Sequence, residues 1–432
     1  MERKCNCHHR SLYHHIAQRS FIFWHLTIKG VVKMKKLEQV KTGTQSDTPV
    51  KKGPSRAMPA NQEPLIRVKR GADIPFLVIV ILLLLIGTVM VFSASYAYAK
   101  EFFDGDSYYY ARKQIAWACV SLLSLYIFTF IDYSRLRAWT ILYSVVSFVL
   151  LVLVLFIGKK VHGATRWIEL GPLNMQPSEL VKLAMILFIS DYAVRYQNEM
   201  HLFRRGIYPI LCIVGAICAA LYFEPHLSAI IIVLFLAFVL MYLGGAKVWQ
   251  LMALAGSAAL AAGIVFLGTS HGRARIEAWL NPEADPLGAG WQPLQSLLAI
   301  GSGGLWGVGL GQSRQKYLYL PEPQNDYIFA VLCEEMGFVF AVAVILLFLA
   351  LIWRGFYIAK NAPTKYSSLI VYGIVTQVAI QVFLNIAVVT NVLPSTGVSL
   401  PFFSYGGTSL AIIMAEMGIV LNVSKYSFVE KG

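Results

Sequence analysis

The sequence predicts an all-α polytopic membrane protein with about ten transmembrane helices and a long extracytoplasmic loop between the seventh and the eighth. Three observations carry that prediction. The mean hydropathy is +0.60. Only 14% of the 432 residues are charged and 57% are hydrophobic, whereas a soluble domain of this length needs far more charge on its surface. Apolar runs of about 18 or more residues recur along the chain, the length a helix needs to cross a bilayer.

Helices are expected near 74–97, 113–131, 138–157, 177–194, 207–222, 226–243, 248–269, 327–353, 366–390 and 407–423. The breaks fall at Gly158, Pro177, Pro225, Gly244–Gly245, Pro323 and Pro363, where proline or glycine interrupts a helix. Lys and Arg set the orientation. With the basic N-terminal segment inside, every inside loop is basic: Arg135 and Arg137, then Arg195, Arg204 and Arg205, then Lys247, then Arg354, Lys360 and Lys365, with Lys425 and Lys431 at the C-terminus. Both termini are thus expected in the cytoplasm. Two outside loops, 158–176 and 270–325, also carry cations, and cations held outside suit an anionic ligand.

The net charge of +14 does not imply nucleic acid. Much of the excess lies in the first 70 residues and in short loops, and no folded basic module is visible. Residues 35–73 are polar, basic and proline-bearing, so 1–73 reads as a disordered cytoplasmic tail. Residues 1–33 look foreign to the rest of the chain, and Met34 opens Met-Lys-Lys-Leu-Glu-Gln as a start would; an over-extended gene model is expected there. No cleavable signal peptide is expected. Cys5, Cys7, His8, His9, His14 and His15 fit no zinc spacing. Cys119, Cys212, Cys218 and Cys333 fall in apolar runs as free thiols, so no disulfide framework is expected.

The 270–325 loop is long enough to be functional. Its middle, Trp291–Leu310, is apolar and glycine-rich. Neither the dinucleotide fingerprint nor the P-loop spacing is present, and close packing of a re-entrant helix accounts for the glycines. Leu393-Pro394-Ser395-Thr396-Gly397 matches a sortase signal, but cleavage there would discard the last helix of the bundle.

Ionisable groups in or beside a bilayer are costly to place and mark functional candidates. Asp326 lies at the outer start of a helix, as a cap or as a base whose pKa a shielded site would raise. Glu179 and Lys182 stand three apart on one helical face, as an ion pair or with Lys182 toward a phosphate. Arg166, beside Trp167, offers a fork that matches phosphate oxygens or serves as an interfacial anchor. Arg273, Arg275, Arg314 and Lys316 add cations to the same face. Gln377, Gln381 and Asn385 form a polar stripe read as interhelical hydrogen bonding. Glu334, Glu335 and Glu416 point to polar helix contacts, and His162, His226 and His271 form no triad or metal set.

Residues 74–427 resemble the SEDS family (shape, elongation, division and sporulation), which includes FtsW, RodA and SpoVE. The resemblance rests on Gly163–Trp167, Gln176-Pro177-Ser178-Glu179 with Lys182, Asn281–Gly290 with Gln295-Ser296, Gly309 through Gly337, and Leu393 to Gly407. The Gly311–Lys316 run and Leu421-Asn422-Val423-Ser424 are most similar to the FtsW and SpoVE branch. The resemblance implies a ten-helix peptidoglycan glycosyltransferase of the bacterial cytoplasmic membrane. It would polymerise lipid II in division or sporulation and release undecaprenyl diphosphate. It further implies a class B penicillin-binding protein as transpeptidase partner, among other divisome or sporulation membrane proteins. The aspartate matching Asp326 is essential for polymerisation in the family, and Arg166, Glu179, Lys182, Arg275, Gln295, Ser404 and Tyr405 are implied to bind substrate. A divalent cation, magnesium or manganese, is compatible with a pyrophosphate leaving group, although no metal cluster is expected. A lipid II flippase and a non-catalytic scaffold are the alternatives. The chain departs from the family pattern at Glu224-Pro225-His226-Leu227-Ser228, where Pro-Asp-x-Gly is usual, at Gly272, where Arg is common, and at Glu416, where apolar residues are usual.

Overall fold

In the computed structural model, residues 71–161, 164–170, 173–268, 270–288 and 290–426 are described. The expected features of residues 1–70, including the tail and the Cys/His tract, lie outside them, as does His162. All ten expected helices form: α1 (Ile74–Phe102), α2 (Tyr109–Phe130), α3 (Tyr133–Ile157), α4 (Pro177–Arg195), α5 (Tyr208–Phe223), α6 (Leu227–Gly244), α7 (Val248–Gly268), α10 (Ile328–Lys360), α11 (Lys365–Val389) and α12 (Gly407–Ser424). Two more, α8 (Ser270–Leu280) and α9 (Trp291–Gly303), lie in the long loop between α7 and α10. The 158–176 segment, which the sequence pattern leaves as a plain loop, is a three-stranded antiparallel sheet: β1 (Lys159–Val161), β2 (Ala164–Leu170) and β3 (Leu173–Met175), in that order.

Among the described residues, eight helices are long and apolar enough to cross a membrane. Helix α4 is not one of them because it carries Glu179, Lys182, Ser190 and Asp191, all buried against protein. Helices α11 and α12 are the most enclosed of the eight, and α12 packs closely along α2.

One end of the bundle is stapled by ion pairs. Asp73 caps α1 by accepting from the Phe76 N–H (3.0 Å), and its carboxylate takes Arg354 Nε at 3.1 Å and Nη2 at 2.8 Å. The Asp73 N–H reaches Ser424 Oγ on α12 (3.1 Å). At the same end Asp191 receives Arg137 Nε and Arg195 Nε, each at 2.7 Å.

Helix α10 is kinked at Gly337 (φ 77°, ψ 178°), a conformation that favours glycine. The main-chain groups freed by the kink are taken up by the loop after α9. Val308 N–H donates to Glu334 O (3.0 Å), Gly309 N–H to Glu335 O (2.9 Å), and Phe338 N–H to Gly304 O (2.9 Å). The approach leaves no room for side chains: a Cβ on Gly303 would lie 2.0 Å from Cys333 O, and one on Gly307 2.2 Å from Glu335 O. Gly303 and Gly307 therefore serve close packing, whereas Gly304, Gly309 and Gly311 meet no such clash and instead supply positive φ. Two buried carboxylates complete the join. Glu334 accepts from Ser313 Oγ and from Arg314 N–H (2.8 Å); Glu335 accepts from Lys316 Nζ (2.9 Å) and from Ser93 Oγ of α1 (2.6 Å).

Breaking a buried pair strands a charge, at a cost of about 3–5 kcal/mol, whereas replacing both partners with apolar residues is often near neutral. Lys316→Met is therefore expected to lower the detergent-solubilised protein's denaturation midpoint sharply. Lys316→Met combined with Glu335→Leu is expected to recover most of that loss, as followed by denaturant titration.

Candidate active site around Asp326

Five segments meet at the end of the bundle opposite the Asp73 staple: β2, the α5–α6 turn, α8, the loop before α10 and the 390–406 loop before α12. Each is tied by main-chain carbonyls. Arg166 Nη2 of β2 donates to Pro225 O, and Ser228 Oγ of α6 donates to Thr396 O. Arg275 Nη1 of α8 reaches Ser395 O (3.4 Å), and Trp279 Nε1 donates to Asn391 O (3.1 Å). Thr408 Oγ1, at the start of α12, donates to Asn174 O of β3 (2.8 Å).

Asp326 sits two residues before α10, half-buried. Its loop is braced from two directions. Asn385, buried on α11, donates from Nδ2 to both Asp326 O and Val398 O, each at 2.7 Å. Ser404 Oγ donates to Asn325 O (2.9 Å) and accepts from Leu400 N–H (2.7 Å), while Tyr405 N–H donates to Gln324 O (2.9 Å). Gly397 (φ 69°) presses bare backbone on the carboxylate: a Cβ there would lie 3.2 Å from Asp326 Oδ2. Burial, helped by the charge of Glu322 and opposed by Arg166, pushes the Asp326 carboxyl up to about 6.

Arg166 is a cation whose charge acts on this carboxylate. Its own pKa is lowered, first by burial and further by Arg275, against the pull of Asp326 and Glu224. In the short turn beside it, burial raises Glu224 to about 8 against the pull of Arg166, and burial together with Arg166 and Lys182 lowers His226 to about 3.

Lys182 Nζ pairs with Glu179 Oε1 at 2.8 Å, with both side chains buried. Glu416 lies within their field and accepts Gln377 Nε2 on both oxygens at 3.1 Å. Gln295 is buried on α9, apart from these contacts, and its neighbour Ser296 donates to Val389 O at the end of α11 (2.7 Å). The structure thus brings Arg166, Arg275, Ser404 and Tyr405 to the loops around Asp326 and sets Glu179 and Lys182 deeper in the bundle. Lys316, grouped in sequence with the outer cations, is instead buried against Glu335, and Arg314 remains exposed. Asn385 was legible as part of a polar stripe but not as the tie between two loops, because its acceptors are carbonyls remote in sequence.

Buried side-chain oxygens of Gln324, Asn325, Tyr327, Asn385 and Thr396 have no hydrogen-bond partner among the described residues. Unpaired buried polar atoms each cost about 1–3 kcal/mol, so five beside one raised carboxyl fit a site for a polar ligand. No group of three or more metal-binding side chains occurs among the described residues.

The family model described as cell cycle protein, covering FtsW, RodA and SpoVE, matches residues 74–428. Stage V sporulation protein E of Bacillus subtilis (strain 168) is 42% identical over 363 residues, covering 83% of this chain and 98% of that protein. A probable peptidoglycan glycosyltransferase FtsW of Geobacter sp. (strain M18) is 37% identical over 364 residues, covering 83% and 98%. Among solved structures, one described as showing structural coordination of polymerization and crosslinking by a peptidoglycan synthase complex superposes with a TM-score of 0.69 at 28% identity, covering 82% of this chain and 97% of that one. The rod shape determining protein RodA of Thermus thermophilus superposes at 0.61 with 27% identity, covering 83% and 98%.

A carboxyl whose folded pKa is raised holds its proton over a range where the unfolded chain has lost it. Stability is then fully present below about pH 4 and falls as pH rises through about 6. Asp326→Asn is accordingly expected to stabilise the protein by about 2–3 kcal/mol at pH 7, for a shift of about two pKa units, and by nothing below pH 4, as read from unfolding midpoints across that range.

Proposed function

Because the chain belongs to the FtsW, RodA and SpoVE family, we propose that it is a peptidoglycan glycosyltransferase that polymerises lipid II at the outer face of the bacterial cytoplasmic membrane. The observation that carries this reading is the Asp326 carboxyl: raised toward neutrality, flanked by Arg166, and held by the two braced loops. A base works best when its pKa lies near the working pH.

In the proposed reaction Asp326 accepts the proton of the acceptor's 4-hydroxyl as that oxygen attacks the anomeric carbon of the donor. The bond from that carbon to the phosphate oxygen breaks, the electron pair leaves with undecaprenyl diphosphate, and the configuration inverts. General base catalysis of this kind contributes roughly 100- to 10,000-fold. Arg166 and Arg275 are positioned to meet the developing phosphate charge. Lys182 is assigned a supporting part, since its ammonium is already paired with Glu179. Ser404 spends its hydroxyl on the main chain, so its contribution is to hold the Asp326 loop. A divalent cation on the pyrophosphate would come with the substrate.

The orientation follows from charge. The loops at the end away from Asp326 carry Arg135, Arg137, Arg195, Arg204, Arg205, Lys247, Arg354, Lys360 and Lys365, which supports assigning that end and both termini to the cytoplasm. A class B penicillin-binding protein is the proposed partner, by analogy with the synthase complex that this chain resembles. The flippase alternative has less support: Gln377 and Asn385 of the polar stripe are engaged in internal hydrogen bonds. The chain's assignment to division or to sporulation rests on its likeness to FtsW and SpoVE.

Purified protein with its partner is expected to convert lipid II to glycan strands, and Asp326→Asn, folded and partner-bound, is expected to yield none. Strands from both proteins would remove Asp326 from the mechanism. The wild-type rate is expected to fall tenfold per pH unit below an apparent pKa near 6, the value of the Asp326 carboxyl.

A further inference from the structure

The adjoining ends of α1 and α2 carry a connected series of aromatic rings that runs up to the Asp326 loop. The Tyr405 ring stands edge-on to Tyr110, with centroids 4.8 Å apart, and Tyr110 is 6.2 Å from Tyr98. Tyr98 stacks on Phe102 at 4.4 Å. A branch joins Tyr110 to Phe103, which stacks on Tyr109 at 3.8 Å. Phe102 is 60% exposed and the other five rings are half-buried. Two links tie the series to the site. The Tyr405 N–H is bonded to Gln324 O, and Glu322, which accepts from Asn325 Nδ2 (2.8 Å), acts electrostatically on Asp326, Tyr98 and Tyr110 alike.

We propose that this aromatic series is a glycan subsite, which receives the sugar rings of the strand that extends from the bond made at Asp326. The inference rests on the glycosyltransferase reading and extends it to the path of the product. Rings with apolar faces and polar tips suit pyranose rings, which present C–H groups on their faces and hydroxyls at their edges. Membrane-interface aromatics act as separate anchors, whereas these rings contact one another and end at the loop that carries Asp326. The local charge does not favour a phosphate: Glu101, Asp104, Asp106 and Glu322 outnumber Lys100, Arg112 and Lys113 in these segments, and Arg112 is already paired with Asp106. The pyrophosphate belongs with Arg166 and Arg275, and the neutral sugars belong with the rings.

The test uses the full chain with its partner, and a lipid-free glycan of four disaccharide units as the probe. Wild type is expected to bind this glycan, and Tyr98→Ala with Phe102→Ala to bind it at least tenfold more weakly. The same double variant is expected to make strands at least threefold shorter, with length restored in Tyr98→Trp with Phe102→Trp. No binding by wild type at millimolar glycan would overturn the subsite, as would unchanged strand length in the alanine variant or failure of the tryptophans to restore it. Loss of partner co-purification with glycan binding intact would reassign the rings to protein docking. The binding measurement needs no turnover, so a wild type that binds glycan yet makes no strands would overturn the glycosyltransferase reading and leave the subsite standing.

Discussion

The arrangement depends on one requirement: a charge placed inside a membrane bundle must find its partners within the same protein. Glu334 and Glu335, buried in the first turns of α10, show how the requirement shapes the fold. They draw Ser313, Lys316 and the N–H of Arg314 down from the loop, and Ser93 across from α1. The kink at Gly337 exposes main chain that the same loop then satisfies. Helix α10 is thereby fixed along its outer part, and Asp326, just ahead of it, inherits a defined position.

A second layer of restraint comes from a few side chains that bond to carbonyls of other segments. Asn385 joins the Asp326 loop to the 390–406 loop, Ser404 repeats the connection from the other side, and Arg166 and Arg275 attach the sheet and α8. Side chains that would otherwise be free to meet a ligand are partly spent on this bracing. The carboxyl of Asp326 is partly withdrawn from water, and that burial raises its pKa and suits it to accept a proton.

The helices were legible because each apolar run is long and bounded by proline or glycine, and the starts and stops missed by a few residues where polar groups such as Tyr109 and Tyr133 begin a helix at the membrane edge. The fate of Lys316 was not legible, because its partner Glu335 lies beyond the Asp326 motif and a lysine beside an arginine reads as surface. The sheet at 159–175 was missed because β1 and β3 have only three residues each and β2, with Trp167 beside Ile168, does not alternate apolar and polar residues. Asp326 stood out as a carboxylate at a helix start, but the backbone contacts that tune it leave no trace in residue type. Glycine was the partial exception: Gly303, Gly307 and Gly397 each mark a place where main chain touches main chain or carboxylate.

The interlock of the α9 loop with the kink of α10 has a consequence for how the chain is made. The loop's acceptors and donors, from Cys333 to Val339, are synthesised some thirty residues after α9 itself. Helix α9 has thirteen residues, too few to span the bilayer as an independent segment. It must therefore wait at the membrane surface until α10 has emerged and bent, so the candidate site is assembled late in biogenesis, by a segment folding back onto one that comes after it in the chain.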